Sequence, residues 1–238
     1  MASAEEKNKA NVVNEEFLIF ISQEITSSLN GIVGAINLIK NHEHSSSMKD
    51  LVETLDTSVS HLGEFAFKVF LSTQLSSRGY HLKITEFGLK DMVHYSILDL
   101  NDLVQKNNIT IKAGKIPGNI TVKADEDLIF RAFDYILHNA IKHSPKDGVI
   151  DIKVQTNNNK TICSFSDSGN GFSKEALKSV FLPFHSKNGY THQETGLSLY
   201  LVKQIMDLHH GEINIFNMEG TGACVELIFL NSPDNLAA

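Results

Sequence analysis

Along the first third of the chain, Leu18, Ile21, Ile25, Ser28/Leu29, Ile32, Ala35/Ile36 and Ile39 recur at steps of three and four. That is the period of one helix face. The run breaks at His42-Glu43-His44-Ser45-Ser46-Ser47 and resumes with Met48, Leu51, Leu55, Val59, Leu62, Phe65 and Val69. The spacing predicts two amphipathic helices of roughly 30 residues joined by a short turn, each with a coiled-coil-like seam. Val12, Phe17, Phe20, Phe67 and Phe70 flank the seam and need cover of their own. Two helices bury too little apolar surface alone, so the pattern predicts a four-helix bundle built from two chains, a homodimer. Met1 to Lys9 is polar and reads as a frayed start.

The helical period ends at Ser76-Ser77-Arg78-Gly79, dividing a helical hairpin (1–77) from a mixed α/β domain (78–238). In the second part, Leu82 to Thr85 reads as a strand. Leu89 to Lys106 reads as one helix with Met92, Val93, Ile97, Leu100 and Leu103 on a face. Ile109 to Lys112 and Ile120 to Lys123 alternate as short strands. Asp125-Glu126-Asp127 opens a helix that runs to about His143, its acids suited to the positive end of the dipole. Val149 to Gln155 and Thr161 to Ser166 predict a hairpin, Leu197 to His209 a helix, and Glu212 to Asn217 and Ala223 to Phe229 two closing strands. No internal repeat or low-complexity block interrupts this order.

Composition narrows the class. Hydrophobic residues make up 42% and charged residues 21%, so the chain can build a core. No run approaches the roughly 18 apolar residues of a membrane span, and no signal-peptide pattern opens the chain, which predicts a cytoplasmic protein. A net charge of −7 argues against a nucleic-acid surface. Cys163 and Cys224 lie far apart in predicted strands and read as buried packing residues, without a zinc or disulfide pattern.

Candidate chemistry gathers in four places. On the helix from Leu128 to His143, a buried stripe of Leu128, Ile129, Ala132, Phe133, Ile136, Leu137, Ala140 and Ile141 leaves Tyr135, Asn139, Lys142 and His143 on another face. An amide and an ammonium there suit a metal-bound triphosphate, and the same stripe also describes a solvated face. Asp167-Ser168-Gly169-Asn170-Gly171-Phe172 follows a strand. It allows either a plain turn or a backbone brought close to a ligand. Thr195-Gly196-Leu197 opens a helix whose free N–H groups can hold phosphate, and Gly220-Thr221-Gly222 joins the last two strands.

Together, in this order, these motifs resemble the catalytic core of sensor histidine kinases over nearly the whole chain. Phe130 to Ser144 resembles the N box, Asp167 to Phe172 the G1 box, and Phe181-Leu182-Pro183-Phe184 the F box. Glu194 to Leu199 resembles the G2 box, Gly220 to Gly222 the final glycine motif, and Phe17 to Gly34 the H box. The resemblance implies a dimeric helical hairpin followed by an α/β two-layer sandwich of the GHKL ATPase type, binding ATP and Mg²⁺. Carried over by position, Asp167 would accept from the adenine amino group and Asn139 would meet Mg²⁺. Lys142 would approach the phosphates, and His143 would lie beside the nucleotide. Gly169, Gly171, Gly196, Leu197 and Thr221 would complete the site, and residues 185–195 would form a lid. The implied partners are a response-regulator receiver domain or another histidine kinase.

Departures from the family pattern carry as much meaning. The H-box histidine that accepts phosphate is replaced by Gln23, on the outer face if Ile25 is a core position. A glutamine amide lacks a nucleophilic nitrogen, so autophosphorylation at this site is chemically lost. Glu24 keeps the neighbouring acid without a histidine to deprotonate, and Ser28 stands where proline is usual. His42, His44 and His61 lack the motif context of an acceptor. In the G2 box, Glu194 would repel triphosphate, Ser198 stands where glycine is usual, and Tyr135 occupies a second amide's place in the N box. Losing one or two charge-assisted contacts costs about 1.5–3 kcal/mol each, or roughly one to four decades of affinity.

The leading expectation is therefore a degenerate kinase core that regulates a partner by contact, with weakened or absent ATP binding. The alternatives are a working kinase acting in trans, a receiver phosphatase using Ser27, or an engineered His-to-Gln variant of an active kinase. A GHKL ATPase of the gyrase type is disfavoured by the hairpin that precedes the sandwich.

Overall fold

The computed structural model describes residues 25–26, 29–37, 48–77, 80–157, 159–183, 196–220 and 222–231. The chain forms two compact units. One takes its described residues from Met1–Leu71 and Pro183–Leu197, the other from Ser72–Leu182 and Ser198–Ala238.

In the first unit, residues 29–37 form helix α1 and most of α2 (Met48–Leu75) follows. The helices approach closely where a Cβ on Gly31 would lie 2.6 Å from Ser58 Oγ. Within the single chain the contact between the helices runs through this pair. Ser58 turns inward and Val59 is exposed, because the small residue opposite a glycine lets the backbones approach. Ala35 and Phe65 are buried, whereas Ile25, Leu29, Val33, Ile36, Phe67 and Phe70 stay exposed within this single chain. The predicted turn at His42–Ser47 lies outside the described residues.

The second unit is a two-layer α/β sandwich. Strand β1 (Ile84–Gly88) pairs antiparallel with β3 (Thr121–Asp125), Ile84 opposite Asp125. The expected strand at Leu82–Thr85 is thus displaced towards Phe87, which the ladder buries. Helix α3 (Leu89–Asp99) and α4 (Asn101–Lys106) replace the single predicted helix. The chain leaves helical geometry at Leu100 (φ −95°, ψ 8°) and buries it, and Asn101 and Asp102, residues suited to helix starts, begin the next turn. A five-stranded sheet of β2 (Thr110–Ala113), β4 (Val149–Thr156), β5 (Lys160–Ser166), β6 (Glu212–Asn217) and β7 (Ala223–Leu230) has the order β2-β4-β5-β7-β6. Its β2–β4 pair is parallel and the rest antiparallel.

Alternation assigns the sheet faces. Ile152, Phe165 and Val225 are register partners and buried, while the next row, Lys153, Ser164, Glu226 and Asn214, lies on the other face. Helix α5 (Glu126–His143) covers the apolar face, Phe133 meeting Phe165 edge-on at 5.0 Å between ring centres. Helix α7 (Ser198–Leu208) packs on α5 and contributes Leu201, Val202, Ile205 and Met206 to the core. A short helix α6 (Lys174–Ser179), missed by periodicity, starts where Ser173 Oγ accepts from the Ala176 N–H at 3.1 Å. Its sequence signal was the capping serine with Glu175 in the first turn.

Candidate functional site

The site begins at the N-terminus of α5. Asp125 caps it, Oδ1 accepting from the Leu128 N–H at 3.2 Å and Oδ2 from the Lys83 N–H at 2.9 Å. The Asp125 N–H donates to His209 Nε2 at 2.9 Å, so Nδ1 carries the proton and donates to the Ile205 carbonyl at 2.7 Å. Burial pushes the His209 imidazole below its usual range, against the attraction of Asp125. Sequence reading overlooked this histidine because it lies in no motif. With the N-terminus of α5 held by these contacts, the last turn of the helix carries Asn139, Lys142 and His143.

There, Asn139 is half-buried and Lys142 and His143 are exposed. Tyr135 departs from the expectation that it shares their face. It is buried, because the apolar stripe is wider than the spacing suggested and takes in a side chain next to Ile136. Ser144 ends the helix, its N–H donating to the Ala140 carbonyl at 3.0 Å.

The Asp167–Phe172 turn meets this helix end from β5. A Cβ on Gly169 would overlap the His143 carbonyl oxygen, so glycine is required by contact between the turn and α5. Asp167 itself is held by the neighbouring strand. Its N–H donates to the Ala223 carbonyl at 2.9 Å, and its Oδ1 accepts from the Gly169 N–H at 2.8 Å and the Ala223 N–H at 3.3 Å. Gly222 (φ +84°) lies so close that a Cβ there would overlap the Asp167 carbonyl. Ser168 Oγ accepts from the Val149 N–H at 2.8 Å and ties the turn to the start of β4. His143, Asp167, Gly169, Gly171 and Gly222, distant in sequence, thus converge.

Asp167 Oδ2 has no hydrogen-bond partner among the described residues and remains an acceptor at a half-buried position. A fixed carboxylate oxygen with its partner oxygen already bonded suits the exocyclic amine of a heterocyclic base. The residues present therefore fit the base end of a nucleotide. Gly196 (φ +61°) and the buried Leu197 immediately precede α7. Gln23, Glu24, Ser27, Thr221 and the lid at 185–195 lie outside the described residues, as do Thr195 and Glu194 of the G2 box.

Both cysteines are free and buried, and burial pushes the Cys163 thiol up to about 12. No described helix is long and apolar enough to cross a membrane. Among the described residues no cluster of His, Cys, Asp and Glu could hold a metal by itself.

Residues 124–233 match the family described as histidine kinase-, DNA gyrase B-, and HSP90-like ATPase. The chain is similar to the heme sensor protein HssS of Staphylococcus saprophyticus, 23% identical over 226 residues that cover 94% of this chain and 48% of that protein. It spans about half or less of the length of the curated relatives it matches. Among solved structures, the catalytic domain of histidine kinase ThkA is 25% identical and superimposes with a TM-score of 0.58, covering 64% of this chain and 100% of that domain. ThkA in complex with response regulator protein TrrA is 20% identical with a TM-score of 0.76, covering 97% of this chain and 65% of that one. Residues 124–233 thus form a GHKL-type ATPase domain, and with the helical region that precedes it the comparisons support a sensor histidine kinase catalytic core.

Proposed function

We propose that this chain is a kinase core without its own phosphoacceptor, which regulates a partner in two-component signalling through protein contact. The observation that carries the reading is Gln23 at the H-box acceptor position. An amide nitrogen whose lone pair is delocalised into the carbonyl cannot take a phosphoryl group as imidazole does. The hairpin of residues 1–77 then acts as a docking and dimerisation element, the α/β domain of 78–238 as its nucleotide-responsive neighbour, and the whole works in the cytoplasm. Exposed Ile25, Leu29, Val33, Ile36, Val59, Phe67 and Phe70 support a second copy as the cover for the helices. A response-regulator receiver or an intact histidine kinase is the partner class, in keeping with the ThkA–TrrA complex.

ATP, which supplies a transferable phosphoryl group when bound with Mg²⁺, is the proposed ligand. Asp167 would accept from its base, Asn139 would meet the metal, and Lys142 with the backbone at Gly196 and Leu197 would face phosphate. Glu194 weakens the phosphate end by repulsion, and the lost glycine at Ser198 weakens it further. Mg·ATP titrated calorimetrically into the purified chain, followed by labelling with radioactive ATP, tests the reading. Measurable heat at an affinity weaker than micromolar, and no acid-labile, alkali-stable label, are expected. Such a label on the unaltered chain would refute it.

The formed Asp167 turn favours a second reading, a kinase that phosphorylates a histidine on another chain. Micromolar Mg·ATP binding together with label transfer to an added histidine-bearing hairpin would select it.

A further inference from the structure

We propose that Asn217 is a positioning residue for base recognition, acting through the Asp167–Phe172 turn. The inference rests on the reading of Asp167 as the base acceptor. Asn217 closes β6 outside every motif singled out from the sequence. Its amide grips the backbone of one residue on the far side of the turn. Oδ1 accepts from the Phe172 N–H at 2.8 Å, and Nδ2 donates to the Phe172 carbonyl at 2.7 Å. One orientation of the amide satisfies both bonds, so the side chain mimics a strand neighbour for Phe172.

The surrounding backbone is shaped around this clamp. Gly171 adopts φ +66°, and a Cβ there would lie 2.6 Å from Asn217 Oδ1. Past Asn217, the Met218 N–H donates to the Gly222 carbonyl at 3.0 Å, and Gly222 packs on the Asp167 carbonyl. The turn is therefore tied at both ends: Asp167 to β7 through Ala223, and Phe172 to β6 through Asn217. With both ends fixed, the direction of the open Asp167 Oδ2 is set before a ligand arrives, and less ordering remains for binding. Asn217 is exposed, so its truncation removes the clamp without opening the core.

The test compares the unaltered chain, Asn217→Ala and Asp167→Asn for Mg·ATP and Mg·GTP binding, by calorimetry or by competition with a fluorescent ATP analogue. Amide hydrogen exchange is measured on the same proteins. Releasing a two-point neutral clamp should weaken ATP by roughly tenfold in Asn217→Ala and shrink the preference over GTP by a similar factor. The Phe172 and Gly169 amides should exchange faster while the β5–β7 ladder amides keep their rates. Unchanged ATP preference in Asn217→Ala, or acceleration spread evenly over the ladder, would overturn the positioning role and leave the base-acceptor reading standing. An unaltered chain that shows no ATP preference, or one that keeps it in Asp167→Asn, would overturn the base-acceptor reading and this inference with it.

Discussion

Protonation of His209 should loosen the joint between α5 and α7. In the fold the neutral ring is bonded on both sides, accepting from the Asp125 N–H and donating to the Ile205 carbonyl. A second proton on Nε2 would place N–H against N–H, and burial disfavours the charge, so the folded state binds this proton less readily than the unfolded chain. In the unfolded chain the ring titrates near its ordinary 6.5. Between that value and the lower folded pKa, the unfolded state holds more protons and stability rises with pH. His209 therefore contributes fully above the unfolded pKa, and its contribution falls as pH drops towards the folded one. One proton limits the slope to about 1.4 kcal/mol per pH unit. The assay is urea unfolding at closely spaced pH values from 7.5 to about 5, above most carboxylate titration, on the unaltered chain and on His209→Gln. Glutamine keeps an acceptor and does not titrate, so subtracting the two curves cancels the other histidines. A difference that grows as pH falls below 6.5, the unaltered chain losing more, is expected. Parallel curves across that range would refute the role assigned to His209.

Three further outcomes follow from the packing. Gly222→Ala combines a positive φ with overlap on the Asp167 carbonyl, so a loss of at least about 3 kcal/mol in urea unfolding is expected, and a loss below about 1 kcal/mol would contradict the close approach. Cys163, with its thiol at about 12 inside β5, should resist alkylation at pH 8 in the native protein and react on unfolding; rapid native labelling would show the strand to be open. Val59→Ser and Phe70→Ser, each exposed on α2, should each weaken self-association by roughly tenfold or more in sedimentation equilibrium if a second copy covers them. An unchanged mass distribution would remove these side chains from the dimer surface.

The sequence by itself determined what local chemistry controls. The 3.6-residue period marked α5 and α7, short β-type runs marked β4, β5 and β7, and Asp125-Glu126-Asp127 marked the start of α5, because these signals are written in neighbours a few residues apart. The motif glycines were equally visible, although their reason was not. Gly169 and Gly222 are required by the His143 and Asp167 carbonyls, partners that only the folded sheet brings within reach. The same holds for β1, whose bounds follow its ladder with β3, and for the close approach of Gly31 to Ser58 between the first two helices. Tyr135 entered the core because burial depends on what covers a helix face, which spacing does not specify. His209 and Asn217 stayed hidden for that reason too: each works by hydrogen bonds to backbone 84 or 45 residues away, a pairing that tertiary structure alone decides.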